Sequence, residues 1–258
     1  MEGESLKIVV CAKGVPADAT DIKIAEGGAR LTYRAYQLNM NESDEYALEQ
    51  AVVLKKQHGG HITMVTLGAS DSDRVSYIGL VKGVDRAIRV DTDLADPEAV
   101  AGVLAAALKD MEYDLILCGV ESTDSMSSEV GISLAERLGL PFAYAVTKVE
   151  VGDDGEAVSI HKEMGGGIEQ IVEISLPALL CIQTGIVPMR YAPLREILKA
   201  RSKPIETLKA SELSPGAKTS ITFLAVSPPP KQKHAEIIEG ELVQIAETVA
   251  GRIKEVLH

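Results

Sequence analysis

Up to Pro141 the chain alternates short, almost wholly apolar runs with longer stretches whose apolar residues recur at three- and four-residue spacing. The first pattern predicts buried strands, the second amphipathic helices. Leu6 to Ala12 (LKIVVCA) predicts a first strand that leaves through the loop residues Lys13-Gly14-Val15-Pro16. Glu26 to Leu38 mixes turn residues with short alternation and predicts a hairpin or an irregular loop. A helix is expected to begin after Asn41 and Ser43, with Asp44 and Glu45 in its first turn, where their charges suit the positive end of the helix dipole. Ala47, Leu48, Ala51, Val52 and Leu54 fall mostly on one face, and Gly59-Gly60 ends the helix. His61 to Leu67 is the second predicted strand. Ser70 then caps a helix bearing Val75, Ile78 and Val81, closed by Gly83, and Ala87 to Val90 forms a short third strand.

Asp96-Pro97 is a helix start, since proline in the first helical position gives up no needed N–H. Val100, Val103, Leu104 and Leu108 continue that helix. Asp114 to Cys118 (DLILC) is the fourth strand, and Ser127 to Leu138 the following helix, stopped by Gly139-Leu140-Pro141. Strand–helix alternation of this kind predicts an α/β fold with a doubly wound, mostly parallel sheet. From Phe142 the pattern changes. Ala143 to Val151, Ser159 to Glu163 and Ile168 to Ile174 read as strands joined by glycine-rich turns, and so as antiparallel ribbons added to the sheet. Ala178 to Gln183 is another buried strand.

Past residue 205 the regularity fades, which divides the chain into a 1–205 α/β domain and a 206–258 C-terminal arm. Ser227-Pro228-Pro229-Pro230 is a stiff, extended linker. Beyond it Ile238, Leu242, Ile245, Val249, Ile253 and Val256 make one apolar stripe on a terminal helix. A helix on such a tether can pack on its own domain or reach a second chain, and the pattern leaves both open.

Composition narrows the function classes. Apolar residues make up 46% of the chain, yet it has no Trp and only two Phe, so aliphatic side chains must fill the core, as in strands buried on both faces. A net charge of −12 opposes nucleic-acid backbones. No run approaches the roughly 20 apolar residues that span a bilayer. The acidic start Met1-Glu2-Gly3-Glu4 lacks a signal-peptide pattern, so a cytoplasmic, reducing address is expected. Cys11, Cys118 and Cys181 sit in or beside apolar runs without CxxC spacing and read as small core residues. His58, His61, His161, His234 and His258 are scattered without metal-ligand spacing. There is no GxSxG elbow. The chain reads as a binder rather than a catalyst.

The segment with the most chemistry runs from Gly119 to Gly131 (GVESTDSMSSEVG). It leaves a buried strand at its carboxyl end and opens a helix, the position at which open parallel sheets bind ligands. Free backbone N–H groups at a helix start attract an anion such as phosphate, and Ser127 and Ser128 can add hydroxyl donors. The alternative is an ordinary serine-capped helix. The loop is neither GxGxxG nor a lysine-bearing P-loop, which disfavours a dinucleotide dehydrogenase or a P-loop NTPase.

Two segments carry a more specific likeness. One is Asn41-x3-Glu45-x-Ala47-Leu48-Glu49-Gln50-Ala51, after a strand ending in Lys13-x-Val15-Pro16. The other is Leu176-Pro177-Ala178-Leu179-Leu180, followed by Arg190-Tyr191-Ala192-Pro193-Leu194-Arg195-Glu196-Ile197-Leu198-Lys199-Ala200-Arg201. Together they resemble the beta-subunit signature of the electron transfer flavoproteins. The Gly119–Gly131 loop, with Leu134-Ala135-Glu136-Arg137-Leu138-Gly139-Leu140-Pro141 after it, is similar to the same family. Matching features run from about Lys7 to Ile205.

The resemblance implies an adenine-nucleotide-hydrolase-like α/β domain that buries an adenine nucleotide, usually AMP. It also implies an alpha-subunit partner whose FAD lies near the interface and transfers electrons. By position, Cys11, Asn41 and Thr66 would contact adenine and ribose, and Asp124, Ser127, Ser128, Glu129, Val130 and Gly131 the phosphate. Gly119 and Thr123 belong to the same implied cofactor-binding loop. Gln183 to Lys199 resembles the loop that anchors a partner dehydrogenase, such as an acyl-CoA dehydrogenase. Leu194 stands in the place of the anchoring leucine, with Arg190, Arg195, Lys199, Arg201 and Lys203 expected to be exposed around it. The other reading of Leu194 is a core leucine inside a helix started by Pro193. An electron-accepting oxidoreductase would complete the set of partners.

The chain departs from the family pattern at Met126, where an acid is usual, at Val187-Pro188-Met189, and at Asp18. Two other readings stay open at this point. One is a bifurcating relative whose beta-subunit pocket holds a second FAD that takes hydride from NADH. The other, from a different class, is an ATP-binding, stress-protein-like module on the same fold.

Overall fold

The computed structural model describes residues 5–17, 23–26, 31–32, 38–200, 202–217, 219–221, 224–228 and 236–257. The chain divides into two compact units, Met1–Ala225 and Val226–His258.

The first unit begins with β1 (Leu6–Cys11), β2 (Gly14–Pro16), β3 (Lys23–Ile24), β4 (Leu31–Thr32) and β5 (Leu38–Met40). It continues with α1 (Glu42–His58), β6 (Gly60–Leu67), α2 (Asp73–Lys82), β7 (Arg86–Asp91), α3 (Pro97–Leu108), β8 (Leu115–Gly119) and α4 (Val130–Leu138). Then come β9 (Phe142–Val151), β10 (Ala157–Glu163), β11 (Glu169–Ser175), β12 (Ala178–Ile182), α5 (Leu194–Ala200), β13 (Ile205–Lys209) and α6 (Ala210–Leu213).

Nine of these strands form one sheet in the order β11-β10-β9-β12-β8-β1-β6-β7-β13. From β9 to β13 every neighbouring pair is parallel; β10 and β11 add an antiparallel ribbon at one edge. β1 is central because its sequence allows it: all its residues except Lys7 are buried. Its neighbours are in register from Leu6↔Gly60 to Cys11↔Val65 on one side and from Ile8↔Leu115 to Val10↔Leu117 on the other.

Helices cover both faces. Ala47, Leu48, Ala51 and Leu54 of α1 and Val75 and Leu80 of α2 pack on one face with Ile8, Val10 and Met64. Ala101, Val103 and Leu104 of α3 and Leu134 of α4 pack on the other with Val9, Cys11 and Val65. The chain winds outward from β1 through β6 to β7, then crosses back to β8 on the far side of β1. That reversal puts the carboxyl ends of β1 and β8 at a switch point, the place where sheets of this kind form a ligand crevice.

The predicted strands and helices up to Leu138 all form, with instructive shifts. The loop exit after β1 is itself a short strand, β2, which pairs with β5. Ser70 begins a 3-10 turn, and α2 starts three residues later, at Asp73. Asp96 caps α3 by accepting the Glu98 N–H at 3.0 Å, as the Asp-Pro pair predicts. Gly139 adopts φ 66 and ends α4, with Leu140 N bonded back to the Ala135 carbonyl. The expected loss of regularity comes after Leu213 and not at residue 205, because β13 pairs with β7 as a parallel edge strand and α6 follows it. Five residues with Glu206 and Lys209 among them give too short and too charged a run to read as a strand.

In the second unit α7 (Leu242–Leu257) is the helix expected from the terminal stripe, and none of its residues is buried. Arg252 pairs with Glu236 at 2.6 Å within the same unit.

Candidate functional site

Asp44, placed at the start of α1, joins the two strand ends that border the crevice. One carboxylate oxygen accepts the Lys13 N–H at 2.9 Å and the other the Gly119 N–H at 2.7 Å. Asp44 lies in the first turn of α1, as expected for the helix dipole, and is also buried. Burial pushes its carboxyl up to about 6, against the hydrogen bonds from Lys13 and Gly119 that pull it down. Gly119 must be glycine here, since a Cβ would lie 2.2 Å from Ser43 Oγ and 2.7 Å from the Asp44 backbone nitrogen.

Asn41 holds the loop after β8 from the other side. Its Nδ2 donates to the Glu121 carbonyl at 2.8 Å, its Oδ1 accepts the Thr123 N–H at 3.1 Å, and Ser43 Oγ donates to the same Glu121 carbonyl at 2.6 Å. Lys13 reaches across the crevice mouth, with Nζ 2.6 Å from Asp124 Oδ1, 3.1 Å from Ser122 Oγ and 3.4 Å from Ser125 Oγ. The Asp124 carboxyl is held below its usual range by Lys13 and Ser122, although burial opposes this.

Met126 and Ser128 take left-handed backbone angles, φ 49 and φ 56, which is uncommon for residues with a Cβ. The helix they lead into begins at Val130, not at Ser127, and no side chain caps it. The serine-capped alternative is thereby corrected: Ser128 Oγ donates to Glu121 Oε2 at 3.3 Å instead. Gly131 lets α4 start directly on the cysteine pair, because a Cβ there would lie 2.6 Å from Cys181 Sγ and 2.8 Å from Cys118 Sγ. Those two sulfurs are 3.6 Å apart, and all three cysteines are buried and free. Burial pushes the Cys11 thiol up to about 12, so it behaves as the core residue its sequence setting predicts.

Asn41, Gly119, Thr123 and Asp124 are thus one bonded cluster. Ser127 and Glu129 are exposed on the same loop, and Ser128, Val130 and Gly131 complete its entry into α4. Cys11 and Thr66 end adjacent strands, but strand alternation sends their side chains to opposite faces, since Val65 shares the Cys11 face. Thr66 is fully buried, and its hydroxyl has no hydrogen-bond partner among the described residues. Lys13, Ser43, Asp44 and Ser122 were not singled out as site residues. The clue was present: a lysine and an acid placed directly after the first strand and at the first helix start, flanking the predicted switch point.

The second candidate region is the segment around α5. Leu194 is 71% and Tyr191 100% exposed, which rules out the core-leucine reading. Arg195 and Lys199 are exposed too. The Nε of Arg190 lies 2.5 Å from Oε2 of the buried Glu49, and its Nη2 donates to the Lys82 carbonyl at 3.0 Å. Lys203 likewise donates to the Val84 carbonyl at 2.8 Å, and both residues stay exposed, as expected. Arg201 lies outside the described residues. Tyr77 Oη donates to the Ile197 carbonyl at 3.0 Å and fastens α5 to α2.

A doubly wound sheet with a glycine-bordered polar loop at its reversal point is the architecture of the α/β domains that bind ligands at that point. Residues 18–213 match the family model of the electron transfer flavoprotein domain. The chain belongs to the electron transfer flavoprotein family, in its beta-subunit branch, and so to a family of flavoproteins with a role in electron transfer. It is 35% identical to electron transfer flavoprotein subunit beta of Bacillus subtilis, over 83% of this chain and 85% of that one. It is 32% identical to the same subunit of Methylophilus methylotrophus, over 97% and 98%. A subunit of the caffeyl-CoA reductase–Etf complex of Acetobacterium woodii is 30% identical over 97% and 98%. Among the described residues no helix is long and apolar enough to cross a membrane.

Proposed function

We propose that the chain binds an adenine nucleotide, AMP, in the crevice between β1 and β8, as the beta subunit of a heterodimer whose alpha subunit carries FAD. In that assembly it supports electron transfer between a dehydrogenase, such as an acyl-CoA dehydrogenase, and an electron-accepting oxidoreductase. The observation that carries the reading is the convergence of Lys13, Asn41 and the Gly119–Gly131 loop on the sheet's reversal point, in a chain of this family. Other features support it. Gly119 and Gly131 let the loop and α4 pack tightly on α1 and the cysteine pair, the uncapped start of α4 offers N–H groups to an anion, and the Thr66 hydroxyl is buried with no hydrogen-bond partner among the described residues. AMP, when bound, supplies no redox chemistry and serves as a structural ligand. Asn41 and Thr66 would face its nucleoside, and Ser127, Ser128 and the amides of Glu129, Val130 and Gly131 its phosphate.

The α5 segment is the proposed docking site for the dehydrogenase. Leu194 is its apolar anchor, with Arg195 and Lys199 as a charged rim. In the heterodimer, Leu194→Ala is expected to raise the apparent KM for a partner dehydrogenase roughly tenfold, the effect of truncating an anchor worth about 1–2 kcal/mol. The nucleotide released on denaturation should not change. Steady-state kinetics with the wild-type heterodimer as reference check both; an unchanged KM would remove Leu194 from the docking surface.

A further inference from the structure

The loop proposed to hold a phosphate has the wrong charge for the task. Residues 120–129 carry Glu121, Asp124 and Glu129 and no lysine or arginine. A phosphate brought to three carboxylates is repelled unless a cation offsets at least part of their charge. Lys13 is built to be that cation. Its backbone is fixed on both sides, the N–H by Asp44 at 2.9 Å and the carbonyl by the Asn41 N–H at 2.9 Å. From that origin its ammonium meets Ser122, Asp124 and Ser125 within 3.4 Å, at the mouth of the crevice.

We propose that Lys13 is the counter-charge for the ligand's phosphate, sharing its ammonium between Asp124 and the phosphate oxygens, and that it sets the preference for a phosphorylated over an unphosphorylated nucleoside. The inference rests on the nucleotide reading of the crevice. It assigns a specificity-determining role to a residue outside the binding loop itself. Asp44, which holds the Lys13 and Gly119 amides together, is the positioning residue behind it.

The test is the ratio of dissociation constants for adenosine and AMP. It is measured by calorimetry on the full-length chain after bound small molecules have been stripped with charcoal. Wild type is expected to favour AMP. Lys13→Met should weaken AMP by roughly tenfold to a hundredfold, the weight of one charge-assisted hydrogen bond, while adenosine affinity stays the same. Lys13→Arg should restore most of the preference, because it keeps the charge. Equal weakening of AMP and adenosine in Lys13→Met would mean that the lysine only supports the fold, and would overturn the inference. So would a Lys13→Met chain that keeps the wild-type preference. Wild-type protein that binds neither ligand would overturn the nucleotide reading itself, an outcome distinct from both.

Discussion

Glu49→Ala is expected to cost about 3–5 kcal/mol of folding stability, the usual penalty for breaking a buried ion pair by removing one partner. Glu49 is 1% exposed and receives two cations: Lys82 Nζ at 2.8 Å and Arg190 Nε at 2.5 Å. Lys82 is itself nearly buried and bonds Glu45 as well, at 2.6 Å. Deleting the Glu49 carboxylate leaves two positive charges facing each other with only the half-exposed Glu45 to offset them. Arg190→Met should cost less, since Glu49 then keeps Lys82 and the lost cation is partly solvated. Urea denaturation of the three proteins checks the order, and a Glu49→Ala chain within about 1 kcal/mol of wild type would contradict it. The cluster ties α1 and α2 to the segment before α5. Glu49→Ala should therefore also raise the protease sensitivity of residues 184–199, which Leu194→Ala should not do.

Removing residues 228–258 is expected to weaken association with the alpha subunit by at least about a hundredfold while the α/β unit stays folded. Leu242, Val249, Ile253 and Val256 are exposed along α7, at the stripe positions the sequence predicts. Burying one such aliphatic side chain is worth about 1.5–3 kcal/mol, so four exceed the cost of ordering the arm. We propose that the alpha subunit is what buries them. Among the described residues, the members of both core clusters lie within residues 6–217, so the truncation removes none of them. Sedimentation velocity with the alpha subunit gives the answer. A truncated chain that associates as tightly as the full chain would mean that the helix does not cross to the partner.

The doubly wound sheet was legible because its central strands have no polar face to hide. LKIVVCA, HITMVTL and DLILC leave little choice but burial on both sides. The start of α4 was not legible in the same way. Ser127 and Ser128 have the chemistry of caps, and nothing in their identity reveals that Ser128 turns left-handed and bonds Glu121 instead. The first-turn position of Asp44 is legible, but its second role is not. An acid in a first helical turn fits the helix dipole, and only the parallel packing of β1 beside β8 brings two foreign amides within its reach. Arg190 shows the limit from the opposite direction. An arginine in a Pro- and Tyr-containing loop suggests a surface, and Arg190 is exposed, but its pairing with Glu49, distant in sequence and buried in α1, has no local signal. The Asp44 and Arg190 contacts are long-range, which local pattern does not encode; the Ser128 turn is local but set by backbone angles that serine does not signal.

The central claim is that the crevice at the sheet's reversal holds AMP. It is tested most directly by denaturing the purified heterodimer and measuring the released small molecules by mass and visible spectrum. One AMP per beta subunit and one FAD per heterodimer is the predicted result. Two FAD and no AMP would contradict it and make this subunit a bifurcating redox partner; a purified chain that carries ATP and forms no heterodimer would contradict it in favour of a free-standing ATP-binding module.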